Sequence, residues 1–138
     1  MAIVWTADLA TGVNEIDEQH KELFRRINTL LDACRAGKGK EEVQKIIKFL
    51  EDYVVVHFGS EEKYMMQYGF PSYAGHKSRH LEFMESLSQI KDTLTAEGPA
   101  LLTVVATNHM LVEWLRTHIR KLDKELGAFL REKKVPPL

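Results

Sequence analysis

The stretch Leu50-Glu51-Asp52-Tyr53-Val54-Val55-Val56-His57-Phe58-Gly59-Ser60-Glu61 decides the fold. Leu50, Tyr53 and Val54 recur at helical spacing, and His57 and then Glu61 follow on the same face at roughly 100° per residue. A polar pair therefore continues an apolar stripe that opens with Val43, Ile46 and Ile47, which places it in the core of an amphipathic helix running from about Glu41 to Tyr68. Working outward, the same period recurs on both sides. Upstream, Leu23, Phe24, Ile27, Leu30 and Leu31 form a first helix, with Asp17 as its expected cap and Gly37 and Gly39 at its end. Downstream, Gly69-Phe70-Pro71-Ser72 breaks the chain, and a third helix carries Leu81, Phe83, Met84, Leu87, Ile90 and Leu94 as far as Gly98. Pro99 can open a fourth, with Leu101, Leu102, Val105, Leu111, Leu115, Leu122, Leu126 and Phe129. Val135-Pro136-Pro137-Leu138 cannot continue it.

Four helices with short connections make antiparallel neighbours, so the expected fold is an all-α, up-down-up-down four-helix bundle. Ala2–Ile16 reads as an extended arm packing Ile3, Val4, Trp5 and Leu9 on the outside. The chain of 138 residues is expected to be a single domain over 1–138: an arm over 1–16, the bundle over 17–134 and a tail over 135–138. Nineteen Lys and Arg against twenty Asp and Glu give a net charge of −1, which offers no global reason for binding nucleic acid or an anionic membrane. One cysteine, Cys34, excludes an intrachain disulfide and a thiolate metal cluster, and is read as a small core residue. No apolar run approaches a membrane span, and the opening residues lack the pattern of a signal peptide. The expected location is cytoplasmic, which includes the cytoplasmic part of a larger protein.

The histidines carry the chemistry. His20 lies on the stripe of Leu23, Phe24, Ile27 and Leu31, and His57 on that of the second helix. His76 and His80 stand four apart in line with Phe83 and Leu87, and His118 is in phase with Leu111, Leu115 and Leu122. His109 faces elsewhere, and Glu62 is expected at the surface. Among the acids, Glu61 is one turn beyond His57. Spacing leaves Asp123 and Glu125 competing, because Asp123 sits about 140° from His118 on an ideal helix. A local π-type turn would bring it into phase. Each buried polar group without a partner costs on the order of 1–3 kcal/mol, against a net stability of only about 5–15 kcal/mol. Five inward imidazoles and two carboxylates therefore need a common partner, and a metal centre supplies one. Imidazole and carboxylate without thiolate suit iron, zinc, manganese or copper, and seven ligands are too many for one ion. The Glu-x-x-His pairs of ferritin-like proteins and the His-Glu-x-x-His pattern of zinc proteases are both absent.

Taken together, Ile16-Asp17-Glu18-Gln19-His20-Lys21, His57-Phe58-x-x-Glu61-Glu62, His76-x-x-x-His80 and Trp114-Leu115-x-x-His118-Ile119-x-x-x-Asp123 resemble the hemerythrin family. The likeness is to its bacterial branch, and most of all to the hemerythrin domain at the C-terminus of a methyl-accepting chemotaxis receptor from a sulfate-reducing anaerobe. It runs from about Val4 to Phe129. The resemblance implies a non-haem centre of two iron ions with a bridging oxo or hydroxo group. His76, His80 and His118 would hold one iron, His20 and His57 the other, with Glu61 and Asp123 bridging both. One coordination position is then left, on the iron with two histidines, and there the family binds O2 reversibly. Leu23, Phe58, Trp114, Leu115 and Ile119 match the family's O2 pocket.

The expected function is therefore reversible O2 binding without catalysis, as an O2 sensor in chemotaxis signalling or as a carrier or store. Its expected partners are O2 and the remainder of a chemoreceptor chain or other signalling proteins. Two other readings use the same ligands: a di-iron peroxidase, oxidase or nitric-oxide-handling enzyme, and an iron-sensing interaction domain.

Overall fold

The computed structural model describes residues 3–38, 40–97 and 101–134. It contains helices α1 (Asn14–Arg35), α2 (Lys40–Tyr68), α3 (Tyr73–Glu97), α4 (Leu101–His118) and α5 (Lys124–Glu132). A π-helical segment, Ile119–Asp123, joins α4 to α5, so these three pieces form one rod, the fourth of the bundle. No strand occurs among the described residues. Each rod packs on its neighbours in a square: α1 on α2, α2 on α3, α3 on α4, and α4 on α1. The expected helix signals at Gly39, Gly98, Pro99 and Val135–Leu138 lie outside the described residues.

The breaks obey simple stereochemistry. Gly37 and Gly69 take positive φ angles of 68° and 67°, the left-handed conformation that ends a helix at least cost without a side chain. After each, an amide reaches back to an otherwise orphaned carbonyl: Lys38 N–H to Ala33 O at 3.1 Å, and Phe70 N–H to Met65 O at 2.9 Å. The start of α1 differs from expectation. It begins at Asn14, and Asp17 lies inside its first turn. Instead of capping the helix, the Asp17 carboxylate accepts from the Thr11 amide and hydroxyl, both at 2.8 Å, and from the Gly12 amide at 3.3 Å. It satisfies the donors of the incoming arm, where Thr11 is buried.

Apolar residues form two clusters. The larger holds Leu23, Ile27, Leu30, Val43, Ile47, Leu50, Phe83, Leu87, Leu111 and Leu115 among others. The smaller holds Ile16, Tyr64, Met65, Phe70, Leu126 and Leu130. Along every rod, the histidines and acids of interest fall between a residue of one cluster and a residue of the other. Among the described residues, three expected apolar positions are not in the core: Leu81 is 61% exposed, Val4 of the arm is 62% exposed, and half-buried Leu122 belongs to neither cluster. Leu81 sits directly after His80, so the phase that turns His80 inward turns its neighbour out. The arm, extended apart from a single 3-10 turn at Ala7–Leu9, buries Ile3 and Leu9 and leaves Trp5 half-buried. Its end is tied to α1 by a reciprocal pair, Ile3 N–H to Asn28 Oδ1 and Asn28 Nδ2 to Ile3 O, each at 2.9 Å.

The arm also crosses α5 closely enough to require a glycine. A Cβ at Gly127 would lie 2.3 Å from the Thr11 carbonyl oxygen. Gly127→Ala is expected to destabilise the fold by about 1–3 kcal/mol, although alanine is the better helix former by about 1 kcal/mol. Urea denaturation with an unchanged or higher midpoint would show that the arm does not press on α5.

Candidate metal centre

Each rod contributes to one cluster in the band between the apolar layers. His20 comes from α1, His57 and Glu61 from α2, His76 and His80 from α3, and His118 and Asp123 from the fourth rod. All seven side chains are buried. Their ligand atoms fall into two groups that could each hold a metal ion, the atoms within a group lying within 4.8 Å of one another. One group is Glu61, His76, His80, His118 and Asp123; the other is His20, His57, Glu61 and Asp123. Both carboxylates belong to both groups.

Asp123 arrives through the π segment. The Lys124 amide donates to the Ile119 carbonyl, five residues back, in place of the α-helical four. That extra residue per turn carries Asp123 onto the face of His118, and Asp123 is fully buried while Glu125 is exposed. Asp123 turns Oδ1 toward His76 Nε2 at 3.0 Å and His118 Nε2 at 3.1 Å, and Oδ2 toward His20 Nε2 at 2.9 Å. Glu61 turns Oε1 toward His80 Nε2 at 3.1 Å, with His57 Nε2 at 3.7 Å, and Oε2 toward His20 Nε2 at 3.9 Å.

The donor set fits a cation. Despite these approaches, all four oxygens of Glu61 and Asp123 are buried without a hydrogen-bond partner. His118 Nε2 lies 3.1 Å from His76 Nε2 and 3.2 Å from His80 Nε2. Neighbouring ligands about 2.1 Å from one octahedral ion lie roughly 3 Å apart. Ring nitrogens and carboxylate oxygens thus point at shared centres rather than at each other.

Two rings are oriented from behind. His57 Nδ1 faces Gln19 Oε1 at 2.8 Å, and Gln19 Nε2 donates to Ser60 Oγ at 3.2 Å. His80 Nδ1 faces Glu62 Oε2 at 2.9 Å. Both contacts put the ring proton on Nδ1 and leave the Nε2 lone pair facing inward. Glu62 is therefore not a surface residue; it is half-buried beside His80. Sequence reasoning also passed over Gln19, whose only signal was its place next to His20. The aromatic lining fixes ring planes: Phe58 stacks on His80 at 3.8 Å and 6°, and Trp114 on His118 at 4.5 Å and 13°.

Burial dominates the His57 ring and pushes it to about 4, so it is neutral at pH 7. Burial opposes charge on His76 as well, but Asp123 and Glu61 beside it outweigh this and raise it to about 9. Burial and Asp123 press Glu61 upward, yet His57, His76 and His80 hold it at about 2. Burial also works against ionised Asp123, but His118, His20 and His76 keep it well below the usual carboxylate range. Two ionised carboxylates buried beside the neutral ring of His57 make an arrangement that attracts cations.

Leu23, Phe58, Leu115 and Ile119 are buried in the larger apolar cluster, and half-buried Trp114 packs against it. His109 belongs to neither group of ligand atoms. It is exposed in a groove of about 550 Å³ between α3 and α4, which Arg79, Glu82, Glu113 and Trp114 also line and which also reaches His118. Cys34 is buried at the far end of α1. Among the described residues, no helix is long and apolar enough to cross a membrane.

Residues 11–130 match the family described as the Hemerythrin HHE cation binding domain. The chain is 35% identical over 129 residues to the bacteriohemerythrin of Methylococcus capsulatus, covering 93% of this chain and 96% of that protein. It is 31% identical to the bacteriohemerythrin of Stenotrophomonas maltophilia, over 94% of this chain and 88% of that one. Among solved structures, a wild-type hemerythrin superposes with a TM-score of 0.81 at 34% identity, over 93% of this chain and 97% of the other. With its matching bundle and a buried band of histidine and carboxylate ligands, the chain belongs to the hemerythrin family.

Proposed function

We propose that this protein binds O2 reversibly at a non-haem di-iron centre. In this reading His76, His80 and His118 hold one iron, His20 and His57 hold the other, and Glu61 and Asp123 bridge the pair. One observation carries it: two groups of buried ligand atoms share both carboxylates, yet one group has three imidazoles and the other two. The family implies iron, and the bacteriohemerythrin relatives support O2 as the ligand. When bound, the iron pair supplies two electrons to O2 and recovers them on its release.

The surrounding residues favour binding over catalysis. Leu23, Phe58, Trp114, Leu115 and Ile119 would form the O2 pocket, and none of them carries an acid or base able to drive O–O cleavage. Leu23 and Ile119 are fully buried, and Phe58 and Leu115 nearly so, which keeps water and external reductants from the bound gas. A carrier or store needs nothing beyond this site. An O2 sensor in chemotaxis needs a responding surface as well, and rests on the resemblance of the sequence alone.

Three measurements test this reading. First, the metal-free protein is expected to take up two Fe2+ per chain under argon, with a rise in Tm of roughly 10 °C or more as the orphaned oxygens gain partners. Because the His76 ring is protonated below about 9 without metal, uptake at pH 7.5 should release protons and weaken as the pH falls. A dye that records no proton release would contradict that ligand set. Second, admitting O2 to the reduced, iron-loaded protein should produce a visible absorption band that disappears on purging with argon. A band that passes straight to the oxidised spectrum would support an enzyme instead. Third, Ile119→Glu places a carboxylate in the pocket and should shorten the lifetime of that band about tenfold or more, with Ile119→Val close to wild type. An unchanged lifetime would remove Ile119 from the pocket.

A further inference from the structure

The two halves of the cluster differ in what stands behind their rings. On the three-histidine side, His80 Nδ1 faces the Glu62 carboxylate at 2.9 Å, with side-chain exposures of 2% and 21%. On the two-histidine side, His57 Nδ1 faces a neutral amide oxygen, that of Gln19, at 2.8 Å. Neither His20 Nδ1 nor His76 Nδ1 has any hydrogen-bond partner. A carboxylate acceptor makes the stronger, charge-assisted hydrogen bond and pushes more electron density toward Nε2 than an amide does. The same half is also the better oriented, since Phe58 lies flat on His80 and Trp114 on His118. Histidine rings meet edge to face in both halves, but among the described residues no ring stacks on His20 or His57, and Phe58 is tilted from His57 by 44° at 5.7 Å.

We infer that Glu62 is a positioning residue, acting through His80 to make the three-histidine half the tighter metal site and the first to fill. This rests on the two-metal reading above. Three imidazoles already outnumber two there, and a preset Nδ1–H tautomer removes the cost of choosing it when the ion arrives. Gln19 orients His57 without adding charge, so its half fills second.

Co2+ is a suitable probe, titrated anaerobically into the full-length metal-free chain and followed by visible absorption. Two resolved steps of one Co2+ each are expected. In Glu62→Ala the first step should weaken by about 10–100-fold while the second stays within about twofold. Glu62→Gln, which keeps an acceptor of the same shape without the charge, should fall between wild type and Glu62→Ala. It also serves if the alanine variant loses helix content. His57→Ala should retain the first step and His80→Ala should lose it, which assigns the step to its half. The nitrogen signals of metal-free wild type should show a hydrogen-bonded N–H at His80 Nδ1, and Glu62→Ala should shift that signal. A single unresolved step in wild type, or equal weakening of both steps, would overturn the role of Glu62. Uptake of fewer than two Co2+ by wild type would instead overturn the two-metal reading on which it stands.

Discussion

The oxygens of Glu61 and Asp123 are the constraint around which this bundle is organised. All four are buried, and none has a hydrogen-bond partner. A polar group left in that state costs on the order of 1–3 kcal/mol, and more when it is charged. Imidazoles placed 2.9–3.1 Å away offset part of this, but their Nε2 atoms crowd one another as closely as they approach the acids. A cation placed between them satisfies both kinds of donor at once. Iron is the ion that the hemerythrin family brings to such a site.

The rest of the structure serves to hold that arrangement in place. Apolar clusters close the band from both sides, so the polar residues neither meet solvent nor rearrange without disturbing a packed layer. The π segment sets the phase of Asp123, and the arm passes beside the same rod. Asp8 of the arm pairs with Arg120 inside the π segment at 3.0 Å, and Thr11 lies against Gly127. An irregular backbone turn is thereby covered by a strap that itself depends on Asp17 for its hydrogen bonds. Behind the cluster, Gln19 and Glu62 make chemically different contacts with two otherwise similar rings, so the two groups of side chains that share both carboxylates are not equivalent.

Much of this was legible beforehand because helical periodicity is a local property. His20, His57, His76, His80 and His118 could be assigned inward from their neighbours on the same stripe, and all five are buried. Where two phases meet, periodicity was less dependable. Leu81 belongs to an apolar count but follows His80 in sequence, so burying one exposes the other. Val4 looked like an arm anchor, but alternate residues of an extended segment face opposite ways and Ile3 took the inner position. Asp17 has the composition of a helix cap, yet the donors nearest its carboxylate belong to the preceding chain. Glu62 looked like a surface residue because the phase of α2 says nothing about what α3 brings alongside.

The order and spacing of the residues alone determined that the chain makes an all-helical bundle and that five imidazoles and Glu61 point into it. These follow from the 3.6-residue repeat, which is written along the chain. Only the tertiary structure decided, from this chain's own geometry, between Asp123 and Glu125, because a π segment changes the repeat locally and no stripe reveals it. Only tertiary structure, too, set Glu62 against His80 and Gln19 against His57. Each pair joins residues from two different helices, and contacts between helices depend on how the rods are turned toward one another.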